Sequence, residues 1–206
     1  MAPKFIFIRH GEATHNVAFH ETKDVKVFEK EEYRDAPLTE KGIQQAKSAG
    51  ETLSELHILD IWCSPLKRTI QTAEEIFEEV NCGTLYLHDN LIERLGGNHV
   101  CNYRQSKTEL KEKYSFWDMT FLPEFAPLWV ERESATSVNS RMRMLVMYLA
   151  ELYKEKPETS YILLVSHNDA IWCLTGKSLP NAEYVILTLD EVINALPPKM
   201  ERSEPW

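Results

Sequence analysis

The sequence is poor in cysteine and in basic residues. Its four cysteines are Cys63, Cys82, Cys101 and Cys173. No two of them form a Cys-x-x-Cys pair, so neither a zinc ribbon nor a dithiol redox motif is predicted, and we expect reduced, mostly buried thiols. The 206 residues include 23 Lys and Arg against 32 Asp and Glu, a formal net charge of -9. This charge disfavours nucleic acid as a partner, and an anionic substrate would need a local basic pocket.

The sequence also has no long apolar run. After Met1–Lys4 only four apolar residues precede Arg9, too few for the core of a signal peptide or for a membrane span. We therefore expect a cytoplasmic protein with no membrane insertion. Glycine and proline are scattered, and no repeat or low-complexity segment occurs. We expect one domain over residues 1–196 and a loosely held tail at 197–206, and a homo-oligomer is possible.

Short apolar runs alternate with stretches of helical spacing. Five runs are predicted as strands: residues 5–8, 58–62, 84–87, 161–165 and 184–189. Two amphipathic stretches lie between them. Residues 43–56 predict a helix that faces a core with Leu53, and residues 144–152 predict a helix that faces a core with Met144, Leu145, Tyr148, Leu149 and Leu152. The alternation predicts an α/β fold, a three-layer α/β/α sandwich with a mainly parallel central sheet. Residues 98–136 mix aromatics, charges and prolines, and we expect an irregular segment that covers one end of the sheet.

Polar residues mark two helix starts. Thr39 is predicted to cap the helix that follows it. Ser64 stands just before Pro65, which predicts a helix over 65–80 with the Ser64 hydroxyl as its cap. That helix would present free backbone N–H groups near Arg68.

Reactive side chains follow four of the predicted strands, at the positions where open α/β sheets bind ligands. In strand order they are Arg9 with His10, then Arg68, then Glu93, then His167. Two imidazoles, two guanidiniums and a carboxyl suit phosphoryl transfer, because donors and cations must hold a phosphate dianion in line with attack. The guanidinium fork also matches phosphate geometry. The sequence thus predicts a phosphate pocket in which one imidazole attacks and the other is a charged clamp.

Six motifs around these residues occur in a fixed order between residues 5 and 170. They are Arg9–Glu12 with Asn16, Leu38–Gly42 with Gln45 and Ala46, Ser64–Thr69 with Gln71–Ala73, Glu93 with Gly97, Glu133 with Ser134, and Val165–His167. The ordered set resembles the signature of the histidine phosphatase superfamily, also called phosphoglycerate-mutase-like. Any single motif has low specificity, but the ordered set has high specificity.

The resemblance implies the fold of that superfamily and a role for each matching residue. It implies that His10 attacks phosphorus and that Arg9, Arg68 and His167 hold the phosphoryl group, with Asn16 as a further donor. The implied enzyme is a phosphomonoesterase that forms a phosphohistidine on a small-molecule phosphomonoester. It needs no cofactor and no metal ion.

The resemblance further implies that Glu93 protonates the leaving oxygen and then activates water. Glu12, two residues after His10, is the rival candidate for this acid and base. A 2,3-bisphosphoglycerate-dependent phosphoglycerate mutase would use the same residues, and a non-catalytic phospho-ligand binding module would use the same pocket. Residues 17–37 resemble the eukaryotic phosphatase members more than the glycolytic mutase, which favours hydrolysis.

Two further histidines precede the first long helix. His15 and His20 follow His10 at intervals of five, which does not place them on one helical face as metal ligands. We expect surface or loop roles for both. The aromatic residues of 98–136 are expected to pack in the core, with an apolar leaving-group site as the alternative.

Overall fold

A five-stranded sheet forms the centre of the fold. The computed structural model describes residues 3–127 and 131–196. The strands are β1 Lys4–Arg9, β2 His57–Cys63, β3 Leu85–Leu87, β4 Ser160–Ser166 and β5 Tyr184–Leu187. Their order is β3-β2-β4-β1-β5, in which β5 runs antiparallel to β1 and the other pairs are parallel. The five predicted strands and the mainly parallel sheet are confirmed.

Helices cover both faces of this sheet. In the described residues they are α1 Thr14–Thr22, α2 Glu40–Leu53, α3 Lys67–Phe77, α4 Lys107–Lys113, α5 Ala135–Leu152, α6 Asn168–Thr175 and α7 Leu189–Asn194. Side chains of α2 and α3 share one core with the sheet, and side chains of α5, α6 and α7 share the other. The predicted three-layer α/β/α sandwich is therefore confirmed.

The alternation of side chains along the central strands produces the two cores. Phe5 and Phe7 of β1 pack on the side of α5 and α6, whereas Ile6 and Ile8 pack on the side of α2 and α3. Successive side chains of a strand point to opposite faces, so a strand buried on both faces is apolar throughout. All four side chains are fully buried. The packing of both layers therefore fixes the position of the carboxyl end of β1.

The start of α3 differs from the prediction. The helix begins at Lys67 and ends at Phe77, instead of spanning 65–80. Its N-cap residue is Leu66, whose side chain makes no capping hydrogen bond. Asp35 supplies the missing acceptor, because its Oδ1 accepts the Lys67 N–H at 2.7 Å. The Ser64 hydroxyl lies 2.7 Å from His167 Nε2 instead. The prediction about Ser64 was wrong because a distant carboxylate competes for the helix start, whereas Thr39 does cap α2 as predicted, accepting from the Gly42 N–H.

The apolar face of α5 is also rotated from the predicted one. Leu145 and Leu149 are buried as expected, but Met144, Tyr148 and Leu152 are 62%, 44% and 51% exposed. The buried face includes Ala135, Val138, Met142 and Val146. The helix is apolar on more than one side, so periodicity alone could not identify the face that packs on the sheet.

The irregular segment at 98–136 runs along the edge strand as well as over the pocket. Asp118 pairs with β3, accepting the Leu87 N–H at 3.0 Å. Trp117 is buried in the core, whereas Phe116 and Phe125 are 59% and 76% exposed, so the expected aromatic packing holds only in part. Residues 128–130 of this segment and the predicted tail at 197–206 lie outside the described residues.

Two further findings concern cysteine and membranes. All four cysteines are free thiols, with Cys63, Cys101 and Cys173 buried and Cys82 partly buried, as expected. Within residues 3–127 and 131–196, every helix is too short or too polar to cross a membrane.

Candidate active site

A small polar pocket lies beyond the carboxyl ends of the parallel strands. It encloses about 50 Å³, enough for a few water-sized groups. Its lining includes the side chains of Arg9, His10, His15, Asn16, Phe28, Arg68, Glu93, Arg94, His99, Asn102, Arg132, Asn168 and Asp169. Four arginines against two carboxyls make it a cationic site in a chain of net charge -9. This is the local basic pocket that an anionic substrate requires.

His10 stands directly after β1, and both of its ring nitrogens have partners in the protein. Its Nδ1 lies 2.7 Å from the Gly11 carbonyl, and the Arg68 Nε–H donates to its Nε2 at 3.2 Å. A carbonyl only accepts, so Nδ1 carries the proton and the Nε2 lone pair accepts the Arg68 N–H. Burial, and then the charges of Arg68 and Arg9, hold the pKa of His10 well below its ordinary value. The ring is therefore neutral at pH 7.

Two glycines fix the turn that carries His10. A Cβ at Gly11 would lie 2.3 Å from the Gly42 carbonyl oxygen, and a Cβ at Gly42 would lie 2.1 Å from the Glu12 carbonyl oxygen. Only glycine at both positions permits this backbone approach. The Asn181 side chain also donates to the His10 carbonyl at 3.1 Å. The nucleophile candidate thus sits on a turn held by α2 and by the loop before β5.

Arg68, on the first turn of α3, has one protein acceptor at each of its three side-chain nitrogens. Its Nη1 donates to the Cys101 carbonyl at 2.8 Å and its Nη2 to Asn102 Oδ1 at 2.9 Å. With its Nε directed at His10, the guanidinium has one orientation. Its side chain is 1% exposed, so the charge acts in a region of low dielectric.

Arg9 and Asn16 approach the pocket from β1 and α1. Arg9 Nη1 donates to the Leu179 carbonyl at 2.8 Å, while its Nε is buried without a partner in the described chain. Burial lowers the pKa of Arg9 to about 10, which leaves it charged at neutral pH. Asn16 Oδ1 accepts the Ala13 N–H, and its Nδ2 lies 3.2 Å from His15 Nε2.

His15 and His20 occupy different environments. His20 is exposed, in line with the expected surface role. His15 is 4% exposed and lines the pocket with its ring centroid 6.2 Å from that of His10. The prediction was wrong for His15 because His15, Asn16 and Phe19 form the buried face of α1, a helical pattern that could have been found in the sequence.

His167 follows β4 and faces His10. The two ring centroids are 5.2 Å apart, and His167 Nε2 lies 2.7 Å from the Ser64 hydroxyl. Its Nδ1 is buried with no partner in the described part of the chain. Burial and then the charge of Arg68 hold the pKa of His167 well below its ordinary value. The ring is therefore neutral at pH 7. The charged clamp stays a prediction, because a bound anion beside the ring would raise this pKa.

Glu93 reaches the pocket from the loop after β3 and meets the start of α6. Its Oε1 accepts the Ala170 N–H at 3.0 Å and its Oε2 the Asp169 N–H at 3.4 Å. Burial, and then the charge of Asp169, raises the pKa of Glu93 to about 7. The carboxyl can therefore be protonated or ionised near neutral pH, as a group that alternates between acid and base requires.

A buried ion pair holds the loop that carries Glu93. Arg141 donates from Nε to Glu133 Oε1 at 3.0 Å and from Nη2 to Glu133 Oε2 at 3.0 Å. The same guanidinium donates to the Asn90 and Glu93 carbonyls at 2.7 and 3.2 Å. Glu133 is thus a support for the Glu93 loop, one step removed from the pocket.

Glu12, the rival carboxyl, lies outside the pocket. It lines a separate surface groove and pairs with Lys41 Nζ at 2.8 Å and with the Thr39 hydroxyl at 3.0 Å. The hydrogen bond from Lys41 lowers the pKa of Glu12, which disfavours it as a proton donor.

Besides His15, the sequence analysis assigned no site role to six polar residues of the pocket wall: Arg94, His99, Asn102, Arg132, Asn168 and Asp169. Asn168 and Asp169 directly follow His167, so the rule that ligands meet strand ends could have included them. Asn102 lies in the aperiodic segment and gave no signal. Among the described residues no group of three His, Cys, Asp or Glu side chains is arranged to hold a metal ion.

Comparisons with known proteins agree on one family. The sequence model of the histidine phosphatase superfamily (branch 1) matches residues 5–188. The chain is similar to phosphoserine phosphatase 1 of Hydrogenobacter thermophilus, with 29% identity over 94% of this chain and 90% of that protein. It is also similar to a probable phosphatase of Schizosaccharomyces pombe, with 28% identity over 90% of this chain. A probable phosphoglycerate mutase GpmB of Salmonella arizonae is 32% identical over 70% of this chain. The chain spans 64% of the length of each of the last two proteins.

Solved structures share the fold. The ecdysone phosphate phosphatase of Bombyx mori, in complex with tungstate, superposes with a TM-score of 0.65 at 14% identity, over 99% of this chain and 97% of that one. A mycobacterial glucosyl-3-phosphoglycerate phosphatase gives a TM-score of 0.61 at 21% identity, over 91% of each chain.

Proposed function

Because the chain belongs to the histidine phosphatase superfamily (branch 1), we propose that it hydrolyses a small-molecule phosphomonoester through a phosphohistidine on His10. The observation that carries this proposal is the position of His10 Nε2, the ring nitrogen without a proton, in a cationic pocket beside Arg68 and across from a second imidazole. A neutral imidazole with a fixed tautomer is a competent nucleophile toward phosphorus.

In the first step His10 Nε2 forms a bond to phosphorus while the bond from phosphorus to the ester oxygen breaks. Glu93, protonated below its pKa of about 7, gives its proton to the departing oxygen. Arg9 and Arg68 supply the charge that the equatorial oxygens need, and Asn16 and His167 supply further donors. The Gly11 carbonyl, which accepts from Nδ1, stabilises the positive charge that the ring gains.

In the second step water attacks phosphorus and the bond from phosphorus to Nε2 breaks. Glu93, now ionised, takes a proton from the water. The released phosphate leaves His10 neutral and Glu93 protonated, so the cycle closes without a metal ion or cofactor.

The alternative is a phosphoglycerate mutase, which would return the phosphoryl group to an alcohol instead of water. The similarity to the Salmonella arizonae mutase supports it over 70% of this chain. The similarity to the phosphoserine phosphatase extends over 94% of the chain, which favours hydrolysis. Phosphoserine and phosphoglycerate are therefore the first substrates to try.

The test is turnover of a phosphomonoester panel in the presence of a chelator, with phosphate release and phosphoglycerate interconversion measured in parallel. The panel contains phosphoserine, 3-phosphoglycerate and nitrophenyl phosphate. We expect phosphate release that the chelator does not reduce. Interconversion faster than release would make the protein a mutase, and binding of inorganic phosphate without any turnover would make it a binding module.

The nucleophile is tested with His10→Ala and the exposed His20→Ala as its matched control. We expect that His10→Ala abolishes turnover because no other imidazole in the described pocket has its Nε2 beside Arg68. Acid-labile, base-stable phosphate labelling should appear in the wild type and in His20→Ala and should vanish in His10→Ala. Labelling that persists in His10→Ala would remove His10 from this role.

A further inference from the structure

One wall of the pocket, next to Glu93, has polar atoms that the mechanism above does not use. It is formed by Asn168 and Asp169, the first two residues of α6. Asn168 Oδ1 accepts from the Ser178 hydroxyl and the Leu179 N–H, both at 3.0 Å, while its Nδ2 is buried without a partner in the described chain. The wall thus already offers one unsatisfied donor.

Asp169 offers the matching acceptor. Its side chain is buried, with the residue 7% exposed, and its Oδ2 accepts from Arg132 Nη2 at 3.3 Å. Its Oδ1 is buried and has no partner in the part of the chain that the structure describes. Native proteins leave few buried carboxylate oxygens unsatisfied, because the desolvation cost is then not recovered. An acceptor of this kind in a pocket wall favours a ligand that brings its own donor.

The position of Asp169 indicates which part of the ligand it meets. Its backbone N–H donates to Glu93 Oε2, and its charge acts on the Glu93 carboxyl. If Glu93 protonates the leaving oxygen, as in the proposed function on which this step rests, the region around Glu93 holds the leaving alcohol. A carboxylate beside Glu93 therefore contacts a substituent of that alcohol and not the phosphoryl group, which it would repel.

We infer that Asp169 is a specificity-determining residue that accepts a hydrogen bond from a hydroxyl or ammonium group on the leaving alcohol. The substrate class is then phosphomonoesters of diols or amino alcohols, in preference to esters of simple alcohols. Hydroxyl and ammonium share the required chemistry, and the ammonium gains the additional attraction of opposite charge. An analogue without the donor leaves the carboxylate oxygen unpaired, and sites of this kind reject such analogues.

The experiment uses three substrates of equal length: propyl phosphate, 2-hydroxyethyl phosphate and 2-aminoethyl phosphate. They differ only in the terminal methyl, hydroxyl or ammonium group. We expect kcat/KM of the wild type to be about ten- to a hundredfold higher for a donor-bearing substrate than for propyl phosphate, as a hydrogen bond to a charged group allows. If kcat/KM is higher for 2-hydroxyethyl phosphate, the preferred class is diol esters. If it is higher for 2-aminoethyl phosphate, the preferred class is amino alcohol esters.

Asp169→Ala is compared with Asp190→Ala, since Asp190 is also the second residue of a helix but is exposed and far from the pocket lining. We expect Asp169→Ala to lose most of the preference and Asp190→Ala to keep it. Glu93→Gln is measured on the same three esters to separate an effect transmitted through that carboxyl, because the preference that Asp169→Ala loses and Glu93→Gln keeps belongs to the contact with Asp169.

Three results would overturn the inference. The first is a wild type that hydrolyses all three esters equally, and the second is an Asp169→Ala variant, folded by circular dichroism, that keeps the full preference. Both leave the proposed phosphatase function intact. The third is a wild type that hydrolyses no phosphomonoester and forms no labelled His10. That result would remove the proposed function and, with it, the inference about Asp169.

Discussion

Glu93 lines the pocket that contains His10 and Glu12 lines a separate groove, and their surroundings give them opposite properties. Glu93 is held by backbone N–H groups at the start of α6, and burial raises its pKa to about 7. Glu12 is held by Lys41, a side chain that is 67% exposed, and its pKa is lowered. The difference shows that the environment, and not proximity to the nucleophile in the sequence, decides which carboxyl can donate a proton at neutral pH.

The largest effect on the rate is expected when Glu93, the proposed proton donor, is replaced. Glu93→Gln should slow alkyl phosphates by about a hundredfold to ten-thousandfold, the usual contribution of general acid catalysis. Nitrophenyl phosphate should be slowed much less, because its anion leaves without a proton. Steady-state rates on both substrates measure this difference. Uniform slowing would mean that Glu93 orders the pocket and would return Glu12 to consideration.

Replacement of the cation near Glu93, Arg68, should lower kcat/KM more than replacement of the cation beside Glu12, Lys41. Arg68→Lys should lower kcat/KM by more than about tenfold, because an ammonium cannot keep the contacts to Cys101, Asn102 and His10 and also face a phosphate. Lys41→Arg, the reciprocal change beside Glu12, is the control and should leave kcat/KM unchanged. Equal efficiency of Arg68→Lys and wild type would place Arg68 outside the reaction.

The pH dependence should follow Glu93. Its carboxyl must be protonated to assist an alkyl leaving group, and its pKa is raised to about 7. The ratio of kcat/KM for an alkyl phosphate to that for nitrophenyl phosphate should therefore be constant below pH 7. It should fall above pH 7, approaching about tenfold per pH unit. Each rate is first corrected for the ionisation of its own substrate phosphate, because alkyl and nitrophenyl phosphates lose their second proton at different pH. A ratio that falls near pH 4 instead would point to an ordinary carboxyl such as Glu12.

The smallest effect is expected at Glu12 itself. Because the pKa of Glu12 is lowered in the folded protein, its ionised form contributes stability above the pKa of the unfolded chain. That contribution is lost as the pH falls through the lowered pKa. Glu12→Gln should reduce the free energy of unfolding at pH 7 by less than about 1 kcal/mol, since its partner is exposed. Urea unfolding at pH 7 and at pH 3 measures this, and a difference that is larger at pH 3 would contradict it.

The fold was predictable because its determinants are local. Strand β1 is apolar on both faces and therefore reads as a buried strand, and Thr39 marks the start of α2 by its own hydroxyl. The cap of α3 was not predictable, because Asp35 approaches it from 32 residues away. The rotated face of α5 was missed because Met144 and Tyr148 are apolar yet exposed.

The sequence also predicted which side chains follow the strands, and the structure brings Arg9, His10, Arg68 and Glu93 to one pocket. The roles of these residues remain predictions. No sequence pattern indicated Asn102, because the segment around it is aperiodic and its contact with Arg68 depends on the tertiary fold. The unsatisfied Asp169 oxygen is likewise a property of packing and not of any motif.

The fixed orientation of Arg68 has a thermodynamic consequence for ligand binding. An unrestrained arginine loses about 1.5–2 kcal/mol of rotamer entropy when it is immobilised. In this protein that loss occurs on folding, because Cys101, Asn102 and His10 already hold the guanidinium. A phosphate group that enters the pocket therefore orders one side chain fewer, and more of its interaction free energy appears as affinity. Under the proposed function the product, inorganic phosphate, gains from the same preorganisation, so a contact that strengthens substrate binding also slows product release.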